Sequence, residues 1–389
     1  VNKQFQTAMR EATRLTQAGR LSEATALIQR TLRGAAAAAS PSTPGAPPAD
    51  DTIEGEFRVV EPAAALPPAA ATTALTPVAY GTGAGGEFLS ATYTAQAGTR
   101  PYKLYVPSGY RGEALPLLVM LHGCTQSPDD FAAGTRMNRF AEEHGFLVAY
   151  PAQVATANAS GCWNWFEPAN QRWGQGEPAL IAGITRQVAA GYAVDPRRVF
   201  VAGLSAGGAM AVVMALTYPD LYAAVGCHSG LAYGAAHDLP SALRAMAQAE
   251  RPRAPRGVPS PTAATSPRAL PLIVFHGDRD TTVHPRNADQ LIAQWLALPA
   301  DDAPPATGAR EPEVRRAKAP GGLAYTQSSH FDAGGQLRAE HWLIHGAGHG
   351  WSGGSAEGSF TAPRGPDAAH EMLRFFLAHP KRHAARRTQ

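Results

Sequence analysis

Val199-Phe200-Val201-Ala202-Gly203-Leu204-Ser205-Ala206-Gly207-Gly208-Ala209-Met210 is the stretch that decides the fold. Its first four residues read as a strand buried on both faces, and the small residues from Ala206 to Leu216 read as a helix. Between them stands Gly203-Leu204-Ser205-Ala206-Gly207, a G-x-S-x-G in the strand-turn-helix context that a nucleophile elbow requires. Glycines flank the serine because the turn is too tight for side chains there. Such a turn lifts Ser205 Oγ to the top of a sheet, at a helix N-terminus that favours developing negative charge. The bland alternative is a structural turn, since G-x-S-x-G recurs by chance in a chain rich in Gly, Ser and Ala. The flanking strand and helix weigh for catalysis.

Outward from the elbow, strands alternate with helices. Phe88 to Thr94 and Tyr102 to Val106 read as antiparallel starter strands, and Leu117 to Leu121 as a central strand. A helix is expected around Phe131 to His144, a strand over Phe146 to Tyr150, and a helix over Ala179 to Ala190. Past the elbow come the strands Ala223 to Cys227 and Leu272 to Phe275, a helix Asn287 to Leu296, a strand Glu340 to His345 and a helix Ala368 to Leu377. Pro-rich insertions at Pro252 to Pro271 and Pro299 to Pro320 read as surface loops. This β-then-α order implies an α/β fold, with a mostly parallel central sheet and helices on both faces.

A serine needs a base, and the base an acid to orient it. Phe275-His276-Gly277-Asp278-Arg279-Asp280 places acids just past a buried strand, and Asp280 has the reach over the sheet. Asp278 is the runner-up, with capping of the turn as its alternative role, and His276 is read as a support of that turn. His345-Gly346-Ala347-Gly348-His349-Gly350-Trp351 supplies the base, read as His349 because His345 closes a strand. The order Ser205, Asp280, His349 is that of an α/β-hydrolase. Backbone N–H groups of Ala206 and of Cys124, in the loop His122-Gly123-Cys124, are the natural oxyanion donors. His341, His345 and His349 recur every four residues, but Gly346, Gly348 and Gly350 oppose a helical metal face, so no metal is expected.

These segments resemble the poly(3-hydroxybutyrate) depolymerase-type esterases, relatives of the feruloyl and acetylxylan esterases. The resemblance rests on Leu121-His122-Gly123-Cys124-Thr125-Gln126, Cys162-Trp163-Asn164-Trp165-Phe166, Gly203 to Met210, His276 to Asp280 and Gly348-His349-Gly350-Trp351. It covers about Tyr102 to His379 and implies an α/β-hydrolase fold, no cofactor, and an ester or polyester substrate. It also implies Ser205, Asp280 and His349 as the triad, with Cys124 and Ala206 at the oxyanion. Feruloyl or acetyl esters of plant polysaccharides are the alternative substrates. Trp163, Trp165 and Trp351 are read as a substrate-binding mouth, with packing of their own loops as the alternative. Cys124 and Cys162 either pair to pin the loop near the oxyanion hole or stay free, and Cys227 reads as a buried thiol.

The remainder bounds the reading. With 34 Lys plus Arg against 31 Asp plus Glu, the 389-residue chain has a net charge of +3 and no basic field for nucleic acid. No apolar run approaches the roughly 20 residues of a transmembrane helix. Three cysteines are too few for a disulfide scaffold, and their spacing matches no zinc motif. Gly81 to Gly86 matches G-x-G-x-x-G but precedes a strand, so a dinucleotide site is not expected. Residues 1–33 read as a helical hairpin that binds a granule, a partner or a second copy, or else docks on the main body. Residues 34–86 form a Pro/Ala/Gly-rich linker, 87–380 the catalytic domain and 381–389 a basic tail. Lys3, Arg10, Glu11, Arg14 and Arg20 break any secretory pattern, which favours the cytoplasm, with secretion as the alternative.

Overall fold

The computed structural model describes Leu27 and residues 85–248, 269–299 and 310–381. Apart from Leu27, the hairpin expected over 1–33 lies outside the described residues, as do linker residues 34–84 and the tail from 382. The sheet with its helices belongs to the unit Ala71–Gln389.

β1 (Glu87–Ala95) and β2 (Gly98–Val106) form an antiparallel hairpin in register from Glu87↔Val106 to Ala95↔Gly98. β3 (Leu115–Leu121) follows, then α1 (Pro128–Thr135), α2 (Met137–His144) and β4 (Leu147–Pro151). After α3 (Gly176–Gly191) come β5 (Val194–Leu204), α4 (Ala206–Thr217), β6 (Ala224–His228) and α5 (Leu239–Gln248). β7 (Leu272–Gly277), α6 (Arg286–Leu296), β8 (Glu313–Lys318), β9 (Ala324–Phe331) and β10 (Leu337–Ile344) continue the chain. Two short strands, β11 (Trp351–Ser352) and β12 (Thr361–Ala362), precede α7 (Ala368–Ala378).

The ten-stranded sheet has the order β1-β2-β4-β3-β5-β6-β7-β10-β9-β8. Its six middle strands, β4 to β10, run parallel, and antiparallel pairs close both ends. Every residue of β3 is buried because successive side chains enter opposite layers. Leu117, Val119 and Leu121 join one layer with Ile181 and Ile184 of α3, Met210 and Val213 of α4, and Trp295 of α6. Leu118 and Met120 join the other, with Phe131 of α1, Phe140 of α2, and Phe375 and Phe376 of α7. Each such side chain contributes roughly 1.5–3 kcal/mol on burial. Chain order reverses at β4-β3-β5, and that reversal opens a crevice beyond the C-terminal strand ends.

Two expectations are corrected. The helix expected around Phe131 to His144 breaks at Arg136, whose φ of 57° is left-handed. The cause is tertiary: the Arg136 guanidinium pairs with Asp367 at 2.6 Å and donates to Gly353 O at 2.6 Å. The insertion Pro299 to Pro320 is not all loop, since β8 pairs there with β9 from Glu313↔Ser329 to Lys318↔Ala324. In the other insertion, residues 252–268 lie outside the described residues, and Leu270 is buried with its carbonyl accepting Trp295 Nε1–H at 2.6 Å. The polar strand β9 and the helix α5 were not anticipated from the sequence at all. Among the described residues, no helix is long and apolar enough to cross a membrane.

Candidate active site

β5 ends at Leu204 and α4 begins at Ala206, so Ser205 occupies the turn alone, with φ 58° and ψ −120°. A side chain rarely adopts that backbone conformation, and the neighbours must over-determine it. They do. A Cβ on Gly203 would lie 2.4 Å from the Gly207 carbonyl oxygen, and one on Gly207 would lie 2.0 Å from Leu121 O. The Ser205 N–H is fixed by His228 O at 2.8 Å, and Ser205 O starts the helix by accepting from Ala209 N–H at 2.9 Å.

The loop His122-Gly123-Cys124 follows β3, which pairs directly with β5 through Leu121↔Gly203. A Cβ on Gly123 would stand 3.6 Å from Ser205 Cβ, so this loop abuts the elbow. Gly123 N–H donates to Gln126 Oε1 at 2.9 Å, and Thr125 N–H to Ser160 O at 2.8 Å. The Cys124 N–H has no acceptor among the described residues, and the Ala206 N–H, at the first helical position, is one a helix leaves unpaired. Cys124 and Cys162 form a disulfide, and Cys227 is a buried free thiol whose pKa burial pushes up to about 12. His122 backs the loop with Nδ1–H donating to Gly123 O at 2.8 Å and Nε2 accepting from Gln153 N–H at 3.0 Å. Burial lowers its pKa to about 4, which keeps the ring neutral as that second bond requires.

Asp280 follows β7. Its Oδ2 lies 2.7 Å from His349 Nδ1, and its Oδ1 accepts the N–H groups of Thr282 and Val283 at 2.9 and 2.8 Å. Burial works to raise its pKa, but His276 and His349 outweigh that and hold the carboxyl well below the usual carboxylate range. His276 Nε2 sits 3.4 Å from Asp280 and closer, 2.8 Å, to Val283 O, to which it donates. The His349 loop folds back over β7 because Gly277 has no side chain; a Cβ there would meet Ala347 O at 2.4 Å. Asp278 takes a different histidine, His345, at 3.0 Å, and also accepts Gly346 N–H at 2.7 Å. His341, half-buried in β10, faces Asp289 at 4.0 Å, so each of the three regularly spaced histidines has its own carboxylate.

With Nδ1 of His349 engaged by Asp280, its other ring nitrogen, Nε2, makes no hydrogen bond among the described residues. The Ser205 hydroxyl makes no hydrogen bond to His349 or to any other described residue, and such contacts commonly tighten only around substrate.

The aromatic mouth is corrected. Trp163, Trp165 and Trp351 are 0%, 4% and 1% exposed, so they present no face to a substrate. Trp163 packs against the His122 ring at 5.5 Å, Trp165 stands edge-on to Phe166, and Trp351 stacks on His228 at 5.3 Å. Phe360 stands edge-on to His349 at 6.5 Å, on a left-handed backbone with φ 51°. Sequence reasoning missed both Phe360 and His228. The signal for His228 was its place directly after a buried strand, in Cys227-His228-Ser229-Gly230.

A family model described as Esterase PHB depolymerase matches residues 100–320. The chain belongs to this family. Ser205 and Asp280 fall inside the match and His349 beyond it. Poly(3-hydroxyalkanoate) depolymerase C of Paucimonas lemoignei is 34% identical over 269 residues, 67% of this chain and 61% of that protein. Feruloyl esterase B of Neurospora crassa is 32% identical over 188 residues, 46% of this chain and 63% of that protein. This member of the family thus spans less than two thirds of those two relatives. Acetylxylan esterase A of Aspergillus oryzae is 30% identical over 222 residues, 54% of this chain and 71% of that protein. Among solved structures, an acetyl xylan esterase from Aspergillus awamori superposes with a TM-score of 0.58 at 21% identity, covering 75% of this chain and 99% of that one. The fold of this family member is that of the α/β-hydrolases.

Proposed function

We propose that the chain is a serine carboxylic ester hydrolase acting on short-chain hydroxyalkanoate esters or polyesters. The observation that carries this reading is the 2.7 Å contact between His349 and the buried Asp280, on loops beyond the strand ends where the Ser205 elbow also lies. Ser205 Oγ attacks the ester carbonyl while His349 Nε2 takes its proton, and Asp280 stabilises the imidazolium that forms. The oxyanion is held by the N–H groups of Cys124 and Ala206, each donor worth about 3 kcal/mol in the transition state. Collapse breaks the ester C–O bond, and the departing alcohol recovers the proton from His349. Water then attacks the acyl-enzyme, giving its proton to His349, and the acid is released with Ser205 restored.

Polyester is favoured by the likeness to a poly(3-hydroxyalkanoate) depolymerase over 269 residues. A second reading, feruloyl or acetyl esters of polysaccharides, is favoured by the shorter matches to feruloyl esterase B and acetylxylan esterase A. The test is release of 3-hydroxybutyrate products from amorphous poly(3-hydroxybutyrate), with a soluble butyrate ester in parallel. Wild-type protein releases products from both and Ser205→Ala from neither. Turnover of the soluble ester alone moves the substrate to the second class. Activity retained by Ser205→Ala overturns the mechanism.

A further inference from the structure

Ser205 and His349 stand on different elements, and nothing in their own side chains joins them. One residue touches the backbone supports of both. His228, the last residue of β6, is fully buried. Its carbonyl oxygen accepts the Ser205 N–H at 2.8 Å. Its ring Nε2 accepts the Ser352 N–H at 2.9 Å, only three residues past His349. The ring cannot drift, because it is stacked between Phe275, at 5.8 Å and 12°, and Trp351, at 5.3 Å and 26°. Its Nδ1 lies 3.2 Å from Ser229 Oγ. Ser229 in turn is locked in a left-handed conformation, φ 48°, with its N–H on Phe275 O at 2.8 Å.

We infer that His228 is a positioning residue that sets the distance between the nucleophile elbow and the loop carrying His349. The inference rests on the reading of Ser205 as nucleophile and His349 as base. A neutral imidazole suits this role, because Nδ1–H donates to Ser229 Oγ and leaves Nε2 as the acceptor that Ser352 needs. Burial, reinforced by the nearby His276 and His349, holds the His228 pKa well below its ordinary value, so the acceptor persists in acid. The sensitivity follows because no hydrogen bond joins Ser205 to His349, so their spacing depends on the backbone that carries them. A displacement of about 1 Å in such a pair can cost as much as 100-fold in rate.

Three variants separate positioning from packing. His228→Phe keeps a ring between Phe275 and Trp351 but offers Ser352 no acceptor. His228→Gln restores a polar atom near the Nε2 position, and His228→Asn falls short of it. With a soluble butyrate ester, and rates referred to folded protein measured by thermal melting, His228→Phe lowers kcat about 10- to 100-fold with KM within threefold. His228→Gln recovers kcat to within about fivefold of wild type. If His228→Phe does not fold, His228→Asn takes its place under the same criteria. Wild-type kcat in His228→Phe, equal losses in the Gln and Phe variants, or a loss confined to KM overturns the inference. Ser205→Ala run alongside keeps the two readings apart: if it stays active, the nucleophile assignment fails whatever the His228 variants do.

Discussion

Asp280–His349 and Asp278–His345 are built from the same two segments, yet they occupy different media. In the first pair the side chains are 0% and 10% exposed; in the second they are 34% and 39% exposed. The first carboxylate has two backbone N–H donors besides its histidine, which leave it no reason to swing away. The second clasps His345 and the Gly346 N–H, and the far nitrogen of His345 is already engaged by Thr326 Oγ1 at 2.8 Å. The same pairing thus gives a buried contact in one place, where the proposed base stands, and a surface fastening in the other. Burial strengthens a hydrogen-bonded charge and water screens it, and the sequence spacing of the two pairs does not tell them apart.

The largest expected effect comes from disabling the buried pair. Asp280→Asn removes the charge that fixes the tautomer of His349 and lowers kcat on a soluble ester on the order of 10⁴-fold. If Asp278→Asn proves equally damaging, the two carboxylates have been assigned in the wrong order.

Acid probes the buried rings as a class. His122 and His341 are pushed down to about 4 by burial, and His228 is held well below its usual value. The unfolded chain takes up these protons at about pH 6.5, whereas the folded chain refuses them, so the unfolded state binds more protons. Stability present above about pH 6.5 is therefore lost as pH falls toward about 4, by about 3 kcal/mol for each of His122 and His341. Denaturant titrations at pH 7.5, 5.5 and 4.5 should show a falling midpoint. A midpoint independent of pH would mean that these rings reach water.

The smallest effect is expected at the exposed pair. Asp278→Asn should reduce kcat by less than about fivefold, the equivalent of about 1 kcal/mol for an exposed polar pair. Steady-state kinetics on the same ester measures it beside Asp280→Asn.

What could be read in the sequence follows this division. The parallel middle of the sheet was legible because Leu117 to Leu121, Val199 to Ala202 and Leu272 to Phe275 are runs that only a doubly covered strand tolerates. The turn around Ser205 was legible because its glycines have no substitute. β8 was not, since Glu313, Arg315, Arg316 and Lys318 mark it only as charged surface; they suit an edge strand, but pairing with β9 alone makes it one. The break at Arg136 is marked in the sequence only by Gly134 two residues before it, and Arg136 is held there by Asp367, far along the chain. The tryptophans illustrate the converse. A Trp on a Gly-rich loop reads as exposed, but Trp163 and Trp351 found His122 and His228 to pack against, a fact of three dimensions only. The pairing of Cys124 with Cys162, left open by the sequence, is of the same kind.

Asp278 and Asp280 act as two prongs of a fork. One grips the loop at His345 and Gly346, the other at His349, and Gly277 lets the loop settle between them. A segment held at both ends has little conformational freedom left to lose when substrate arrives. Its ordering entropy is met once, during folding, instead of at every turnover. If His349 is the base proposed above, it is in place before any ester is, and heat should silence it only when β7 and β10, the paired strands that carry the fork and the loop, come apart.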